Sequence, residues 1–351
     1  MALPISSIAK TVGQLVKNLS SRNRDIITRR FGLKTGKKET LESIGQSYGI
    51  TRERVRQIEE FTFGQLTKTL GQNNQINDFV EMSRKILAGS SGVMKERDLF
   101  RAFSGNEKDS VTNSALVFCL TLNGEFYRFN ENNNFTSFWA LSEKHAGHFR
   151  DSTTALIGAF NENKAVLSME NFSGMAKENK ITDFEGRFSE EYLRAILSVS
   201  KDISRNIFGE VGLAVWPEIR PRGVKDKAYL VLKKAKEPRH FGEIAKLINS
   251  TNFSDRKANI QTVHNELIKD GRFVLIGRGL YALSEWGYKP GTVKDVLIDI
   301  LKESAKPLAK AELVAKIMNA RRVKENTILL NLQDSKVFKK GGDGTYTLKK
   351  V

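Results

Sequence analysis

Gly49-Ile50-Thr51-Arg52-Glu53-Arg54-Val55-Arg56-Gln57-Ile58 is the stretch on which the reading of this chain turns. Gly49-Ile50 makes a tight turn, and Thr51 stands where a helix N-cap accepts a hydrogen bond from a free backbone N–H. Val55, Ile58, Thr62 and Leu66 follow at i, i+3, i+7 and i+11, a spacing that buries one stripe of a helix. Arg52, Glu53, Arg56 and Gln57 are left exposed near its N-terminus. Those residue types match base edges in the major groove: arginine binds guanine O6 and N7, glutamate accepts from cytosine N4, and glutamine pairs with adenine. Upstream, Glu39 to Tyr48 predicts a short helix with Leu41, Ile44 and Tyr48 on one side. Before it, Ser20 or Ser21 caps a helix carrying Ile26, Ile27 and Phe31, which Gly32 ends in a left-handed turn. A solvated helix face has a similar composition, but the order of turn, cap and readers marks a DNA-binding helix-turn-helix.

The charge supports a polyanionic partner. The 351 residues hold 57 Lys+Arg against 40 Asp+Glu, a net charge of +17. The surplus is segregated: residues 1–71 carry +7, 72–148 carry −1, 149–218 carry −3, and 219–287 and 288–351 carry +7 each. Both ends therefore read as facing nucleic acid and the middle as spacer or protein-facing. The longest apolar run, around Ala115 to Leu122, is far short of the roughly 20 residues of a membrane span. Met1 to Leu19, interrupted by Pro4, Lys10 and Lys17, does not read as a secretory signal. A single cysteine, Cys119, forms no internal disulfide, which fits a reducing cytosol.

An internal repeat organises the rest. An aromatic followed by small or aliphatic residues recurs at Trp139-Ala140-Leu141, Trp216-Pro217-Glu218, Tyr281-Ala282-Leu283 and Tyr346-Thr347-Leu348. Before the last two lie an apolar run and a glycine turn, Gly277-Arg278-Gly279 and Gly341-Gly342-Asp343-Gly344, each reading as a hairpin. Helical patterns precede the hairpins, as with Ile244, Leu247 and Ile248, then Ile260, Val263, Leu267 and Ile268. The expected fold is mainly α with small β-hairpin wings, a tandem array of helix-turn-helix and winged-helix modules. Five are expected: 1–71, 72–148, 149–218, 219–287 and 288–351, the second and third diverged, with looser wings rich in Asn or Gly.

Arg29-Arg30-Phe31-Gly32-Leu33, Thr40-Leu41-Glu42-Ser43-Ile44-Gly45 and Thr51 to Glu59 together resemble region four of housekeeping bacterial sigma factors, over about 50 residues. The resemblance implies that Arg52, Glu53 and Gln57 face bases of the minus-thirty-five promoter element, with Arg54 and Arg56 at the backbone or groove edge and Thr51 as cap. Phe61, Phe63 and Gly64 depart from the charged and small residues usual at the end of that helix. Upstream of residue 20 there is no aromatic-rich segment like the one with which a complete sigma factor opens a promoter, so a self-sufficient sigma factor is not expected. His240-Phe241-Gly242-Glu243-Ile244, with Thr262 to Leu267 and Gly277 to Gly287, is similar to the HARE-type helix-turn-helix family, which includes the delta subunit of bacterial RNA polymerase.

In that fourth module Asn259, Thr262, Asn265 and Lys269 are expected on the recognition face, with Arg256, Lys257, Arg272 and Arg278 taking phosphates. Winged helices also serve as protein adaptors, and that reading stays open here. In the fifth, Arg321, Arg322, Lys324, Asn326 and Thr327 flank the expected recognition helix, with Lys339 and Lys340 at the wing. His145-Ala146-Gly147-His148 has one possible metal spacing without a third ligand and reads as a surface loop, so no metal is expected. The glycine turns lack the Lys-Ser/Thr and helix of a phosphate loop. No cofactor, catalytic residue or small-molecule substrate is evident. The expectation is a cytoplasmic, nucleoid-associated bacterial regulator that binds double-stranded DNA and works with RNA polymerase at initiation. The alternatives are a polymerase-binding adaptor or antagonist with weak DNA contact, and a DNA modification or restriction accessory.

Overall fold

Ser20 settles the first cap: its Oγ accepts from Asn23 N at 3.3 Å. In the computed structural model, which describes residues 7–70, 74–253, 256–288, 290–304, 306–321 and 323–349, with residues 69 and 70 by backbone alone, the N-terminal helices are α1 (Ile8–Lys17), α2 (Ser21–Phe31), α3 (Leu41–Tyr48) and α4 (Arg52–Leu70). α3 begins at Leu41 rather than Glu39, because Thr40 Oγ1 accepts from Ser43 N at 3.1 Å and caps it. Gly49 closes it at φ +65°, the left-handed turn that lets α4 leave at once. Gly45 is needed for a different reason: a Cβ there would stand 2.7 Å from the carbonyl oxygen of Ile50. Ile26, Ile44 and Val55 fill the small core between α2, α3 and α4, against Leu41, Tyr48, Ile50 and Ile58.

The chain divides into two compact units, Met1–Val215 and Trp216–Val351. In the first, Ile8, Val12, Leu15, Ile27, Phe31 and Leu66 face away from the small core and enter a larger one. That core is shared with α5 (Asn74–Ala88), α6 (Glu96–Ser104) and α7 (Val111–Asn123). α7 is buried along nearly its whole length, from Asn113 to Leu120 and again at Leu122. Phe118 of α7 stands 5.2 Å from Phe31 and 5.6 Å from Phe63, ring centroid to centroid. Phe63, a departure from the sigma pattern, thus packs inward, whereas Phe61 is 63% exposed.

α7 is followed by a hairpin, and the plan recurs. β1 (Val93–Lys95), β2 (Tyr127–Phe129) and β3 (Phe138–Ala140) form an antiparallel sheet with β3 in the middle. After α8 (Glu143–Asn163) come α9 (Met169–Glu178), α10 (Glu190–Val199) and the hairpin β4 (Ile203–Arg205) and β5 (Val211–Leu213). The Asn-rich loop between β2 and β3 is tied to this part: Thr136 N donates to Val199 O at 2.9 Å and Lys201 N to Asn134 O at 2.7 Å. The second unit runs α11 (Val224–Ala235), β6 (Arg239–His240), α12 (Phe241–Ser250), α13 (Ile260–Lys269), β7 (Phe273–Gly277) and β8 (Leu280–Leu283). It continues with α14 (Val293–Ser304), β9 (Leu308–Ala309), α15 (Lys310–Ala320), α16 (Glu325–Leu332), β10 (Phe338–Lys340) and β11 (Thr345–Leu348). The fold is mainly α with small antiparallel hairpins.

The repeated aromatic has a fixed station. Trp139, Tyr281 and Tyr346 each lie in the central strand, opposite the residue just before the helix cap: Met94, Arg239 and Leu308. In the second copy that station belongs to Val211, which bridges Leu167, itself one residue before the cap Ser168. Trp216 therefore does not take part in the repeat, contrary to expectation, since it follows the strand instead of sitting in it. Helix ends also differ from expectation on α13, where Val263 and Leu267 are buried but Ile260 and Ile268 are exposed.

Candidate nucleic-acid interface

Thr51 Oγ1 accepts from Arg54 N at 3.2 Å, so the cap that starts α4 is made by the side chain expected to make it. Val55 and Thr62 are fully buried and Leu66 nearly so, with Ile58 half-buried, and this fixes the rotation of the helix. Arg52, Glu53, Arg54, Arg56 and Gln57 are consequently all exposed along its first turns. They are not equivalent. Arg56 is clasped by two carboxylates, its Nη2 donating to Glu53 Oε1 at 2.7 Å and its Nη1 to Glu60. Arg54 Nη1 donates to Gln57 Oε1 at 3.0 Å. The Arg52 side chain makes no hydrogen bond or ion pair among the described residues. The hydrogen bond from Arg56 holds the Glu53 carboxyl below its ordinary pKa, so Glu53 is an acceptor at neutral pH. The face thus offers one unengaged guanidinium, one clasped guanidinium, and an arginine and glutamine already joined.

In the second unit Asn259 caps α13, its Oδ1 accepting from Gln261 N at 2.8 Å. Thr262, Asn265 and Lys269 are exposed on the helix beyond it, spaced to share one face. Arg256 and Lys257 gather with Asn259 and Thr262 around a 280 Å3 depression that Arg222 and Lys227 of the α11 end also line. Arg278 is exposed in the β7–β8 turn. Arg272 does not fit a phosphate-binding role, because its Nη2 is taken by Asp270 at 2.7 Å and Asp226 at 2.9 Å. The Asp270 bond, and after it the Asp226 one, raise its pKa further.

Lys324, Asn326 and Thr327 are exposed at the start of α16, and Lys339 and Lys340 on β10. Arg321 is corrected: it is only 5% exposed, and its Nη2 donates to the carbonyl oxygens of Leu275, at 2.8 Å, and Gly291. It ties these segments together instead of facing solvent. Arg322 lies outside the described residues. His145 and His148 are also corrected, from a surface loop to α8, where His145 Nδ1 hydrogen-bonds Ser142 Oγ at 2.8 Å and His148 Nε2 hydrogen-bonds Thr182 O at 2.9 Å. Among the described residues no three His, Cys, Asp or Glu side chains come together as a metal site, and no helix is long and apolar enough to cross a membrane.

A group of cations that the sequence reading passed over lies beside the helix-turn-helix. Lys37 and Lys38, in the loop before α3, line a 590 Å3 cleft with Lys95 and Arg97 at the start of α6. The signal available in the sequence was the Lys37-Lys38 pair just ahead of the Thr40 cap, but its partners are nearly sixty residues away.

Residues 15–68 match the family model of Sigma-70, region 4. The RNA polymerase sigma factor sigB of Arabidopsis thaliana is 37% identical over 67 residues, covering 19% of this chain and 12% of that protein. The RNA polymerase sigma factor SigA of Nostoc sp. is 50% identical over 46 residues, 13% of this chain and 12% of that protein. The chain spans about an eighth of the length of these relatives. With α2, α3 and all but the last two residues of α4 inside the match, this chain carries at its N-terminus a sigma region 4 module, a DNA-binding module of sigma factors.

Proposed function

We propose that the chain is a transcription regulator that binds double-stranded DNA through the N-terminal face of α4 and acts with RNA polymerase at initiation. The observation that carries this is the capped, exposed set Arg52, Glu53, Arg56 and Gln57 within a region 4 match. Arg52, Glu53, Arg56 and Gln57 read bases, while Thr51 and Arg54 set the helix end and the backbone contact. The basic second unit adds backbone contacts through Arg256, Lys257, Lys269, Arg278 and Lys324, with Asn259, Thr262, Asn265, Asn326 and Thr327 beside them, as winged helices of the HARE type would. The division into modules at 1–71, 72–148, 149–218, 219–287 and 288–351 belongs to the same proposal.

An accessory role is favoured over promoter opening because the aromatic run of this chain is spent on packing. Phe138 and Trp139 are fully buried, Phe126 and Phe135 nearly so, and Phe129 stacks on Phe138 at 4.9 Å. Melting needs aromatic or apolar side chains free to replace base stacking, at a few kcal/mol per step. The near-neutral middle, −1 over 72–148 and −3 over 149–218, favours the adaptor reading for residues 72–218, which would contact protein.

The test is retention of core RNA polymerase and of promoter DNA by the purified chain, each alone and both together, followed by run-off transcription. Binding of promoter DNA, retention of polymerase, and no transcript without an added sigma factor are expected. Polymerase retention with no DNA binding favours the adaptor. Reactive thymines around a start site with this chain and core enzyme alone would overturn the accessory reading.

A further inference from the structure

The cleft beside the helix-turn-helix has a charge balance that its own residues leave unresolved. Its lining brings Lys37, Lys38, Lys95 and Arg97 together with Glu96, Asp109 and Glu131. Two of the three carboxylates are already engaged. Glu96 receives the Arg128 guanidinium, Nη2 to Oε1 at 2.8 Å, and the Trp139 indole N–H at 3.0 Å. Glu131 receives Lys201 Nζ at 2.6 Å. The side chains of Lys37, Lys38, Lys95 and Arg97 make no hydrogen bond or ion pair among the described residues. Four cations therefore face one cleft in which Glu96 and Glu131 already hydrogen-bond Arg128 and Lys201, and the charges of Glu96 and Asp109 act on Lys38 without an ion pair. Crowding bears on Lys38 in particular: desolvation of its ammonium, and after that the charge of Arg128, lower its pKa.

The residues come from two places. Lys37 and Lys38 belong to the loop that delivers Thr40, the cap of α3, while Lys95 and Arg97 come from the strand and helix that follow α5. The latter two lie outside the region 4 match at 15–68. What joins them is the packing of α7 against α2 and α4: the loop runs so close to the start of α7 at Gly36 that a Cβ added there would stand only 3.0 Å from the backbone of Ser110. Phe100 and Gly36 aside, the residues that line the cleft are charged or hydroxyl-bearing, unlike the predominantly hydrophobic and aromatic lining of a small-molecule pocket. Its volume, worth about twenty waters, exceeds a single phosphate.

We propose that this cleft is a second phosphate-binding site, in which Lys37, Lys38, Lys95 and Arg97 hold the DNA backbone beside the segment read by α4. It lengthens the footprint of the region 4 module with residues that module does not contain. Such contacts carry no sequence information and act through counterion release. This inference rests on the DNA-binding reading above.

The experiment uses the full chain and fluorescence anisotropy on a duplex selected by the wild type. Lys38→Gln with Arg97→Gln, checked for an unchanged thermal melt, is compared with wild type and with Arg52→Ala across a salt series. Each lost phosphate contact makes the log affinity against log salt slope less negative by about 0.9, so the double variant is expected to lose about 1.8 units of slope. It is expected to weaken on every sequence alike and to keep the wild-type preference. Unchanged slope and affinity in the double variant, with preference lost in Arg52→Ala, would overturn this inference and leave the DNA-binding reading standing. No duplex binding by the wild type would overturn the reading itself. Inorganic triphosphate supplies the last arm: calorimetric binding to wild type but not to the double variant, with an unchanged duplex slope, would assign the cleft to a free polyphosphate and overturn the DNA assignment.

Discussion

Phe118 meets Phe63 edge to face, with ring centroids 5.6 Å apart, and through this contact α4 is joined to the part of the chain that follows it. Phe118 is fully buried and also meets Phe31. Phe118→Ala is expected to cost about 3–5 kcal/mol, from lost burial and the cavity left behind. Chemical denaturation of the first unit, Met1–Val215, measures it. A loss below 1 kcal/mol would mean that α7 does not support α4.

The same packing decides where the chain can be cut. Ile8, Val12, Leu15 and Leu66 share a core with α5, α6 and α7. A fragment ending at residue 71 exposes that face, whereas one ending at residue 141 keeps it covered. The longer fragment is expected to be monomeric and cooperatively folded and the shorter to associate, which light scattering and thermal melting would distinguish. A well-folded, monomeric 1–71 would show that the core of Ile26, Ile44 and Val55 suffices.

Arg52 is the unengaged guanidinium of the face proposed to read bases. Arg52→Ala is expected to weaken binding to the preferred duplex by about 1–3 kcal/mol and to relax one base position. A binding selection checks this. Equal loss on all sequences would make Arg52 a phosphate contact instead.

Glu96 gives a pH dependence. Burial opposes its charge, but Arg128, Lys38 and the Trp139 N–H outweigh burial and hold its pKa below the ordinary 4.5. A carboxyl whose pKa is lower when folded stabilises the fold above its unfolded value, and that contribution fades as pH falls through the folded value. Glu96→Gln is therefore expected to be less stable at neutral pH by about 1.5–3 kcal/mol, the scale of a hydrogen bond to a charged group. Its stability should also fall less than that of wild type as pH drops below about 5. Parallel pH profiles of thermal midpoint would show that Glu96 does not hold Arg128 and Trp139 by its charge.

How much of this was legible in the sequence follows from the range of the interactions. The helix-turn-helix was legible because Ser20, Thr40, Thr51 and Gly49 act within three or four residues of themselves, and the exposed face of α4 follows from the spacing of Val55, Thr62 and Leu66. The aromatic repeat was legible for Trp139, Tyr281 and Tyr346, since each occupies the middle of a hairpin. It failed at Trp216 because the second copy replaces the aromatic with Val211 and its first strand with the single bridge at Leu167. Arg272 and Arg321 were misplaced for a common reason: a guanidinium satisfied by Asp226, or by the carbonyls of Leu275 and Gly291, is engaged across 30 or 46 residues of chain and looks like any surface arginine. The cleft at Lys38 was hidden in the same way, since docking of α7 creates it.

The clasp of Arg56 between Glu53 and Glu60 bears on how this chain would search a genome. From Arg52 to Glu60 the reading helix holds three arginines and three glutamates, so it has no net charge with which to grip arbitrary phosphates. If α4 reads bases as proposed, attraction to random DNA would fall to the rest of the basic surface, while the helix itself would pass over wrong sites with short dwell times and engage only where bases compensate for opening the clasp. Glu53→Gln, by loosening that clasp, is expected to lengthen residence on nonspecific DNA in single-molecule tracking while blurring the choice of site; unchanged residence would mean that the clasp opens freely on every sequence.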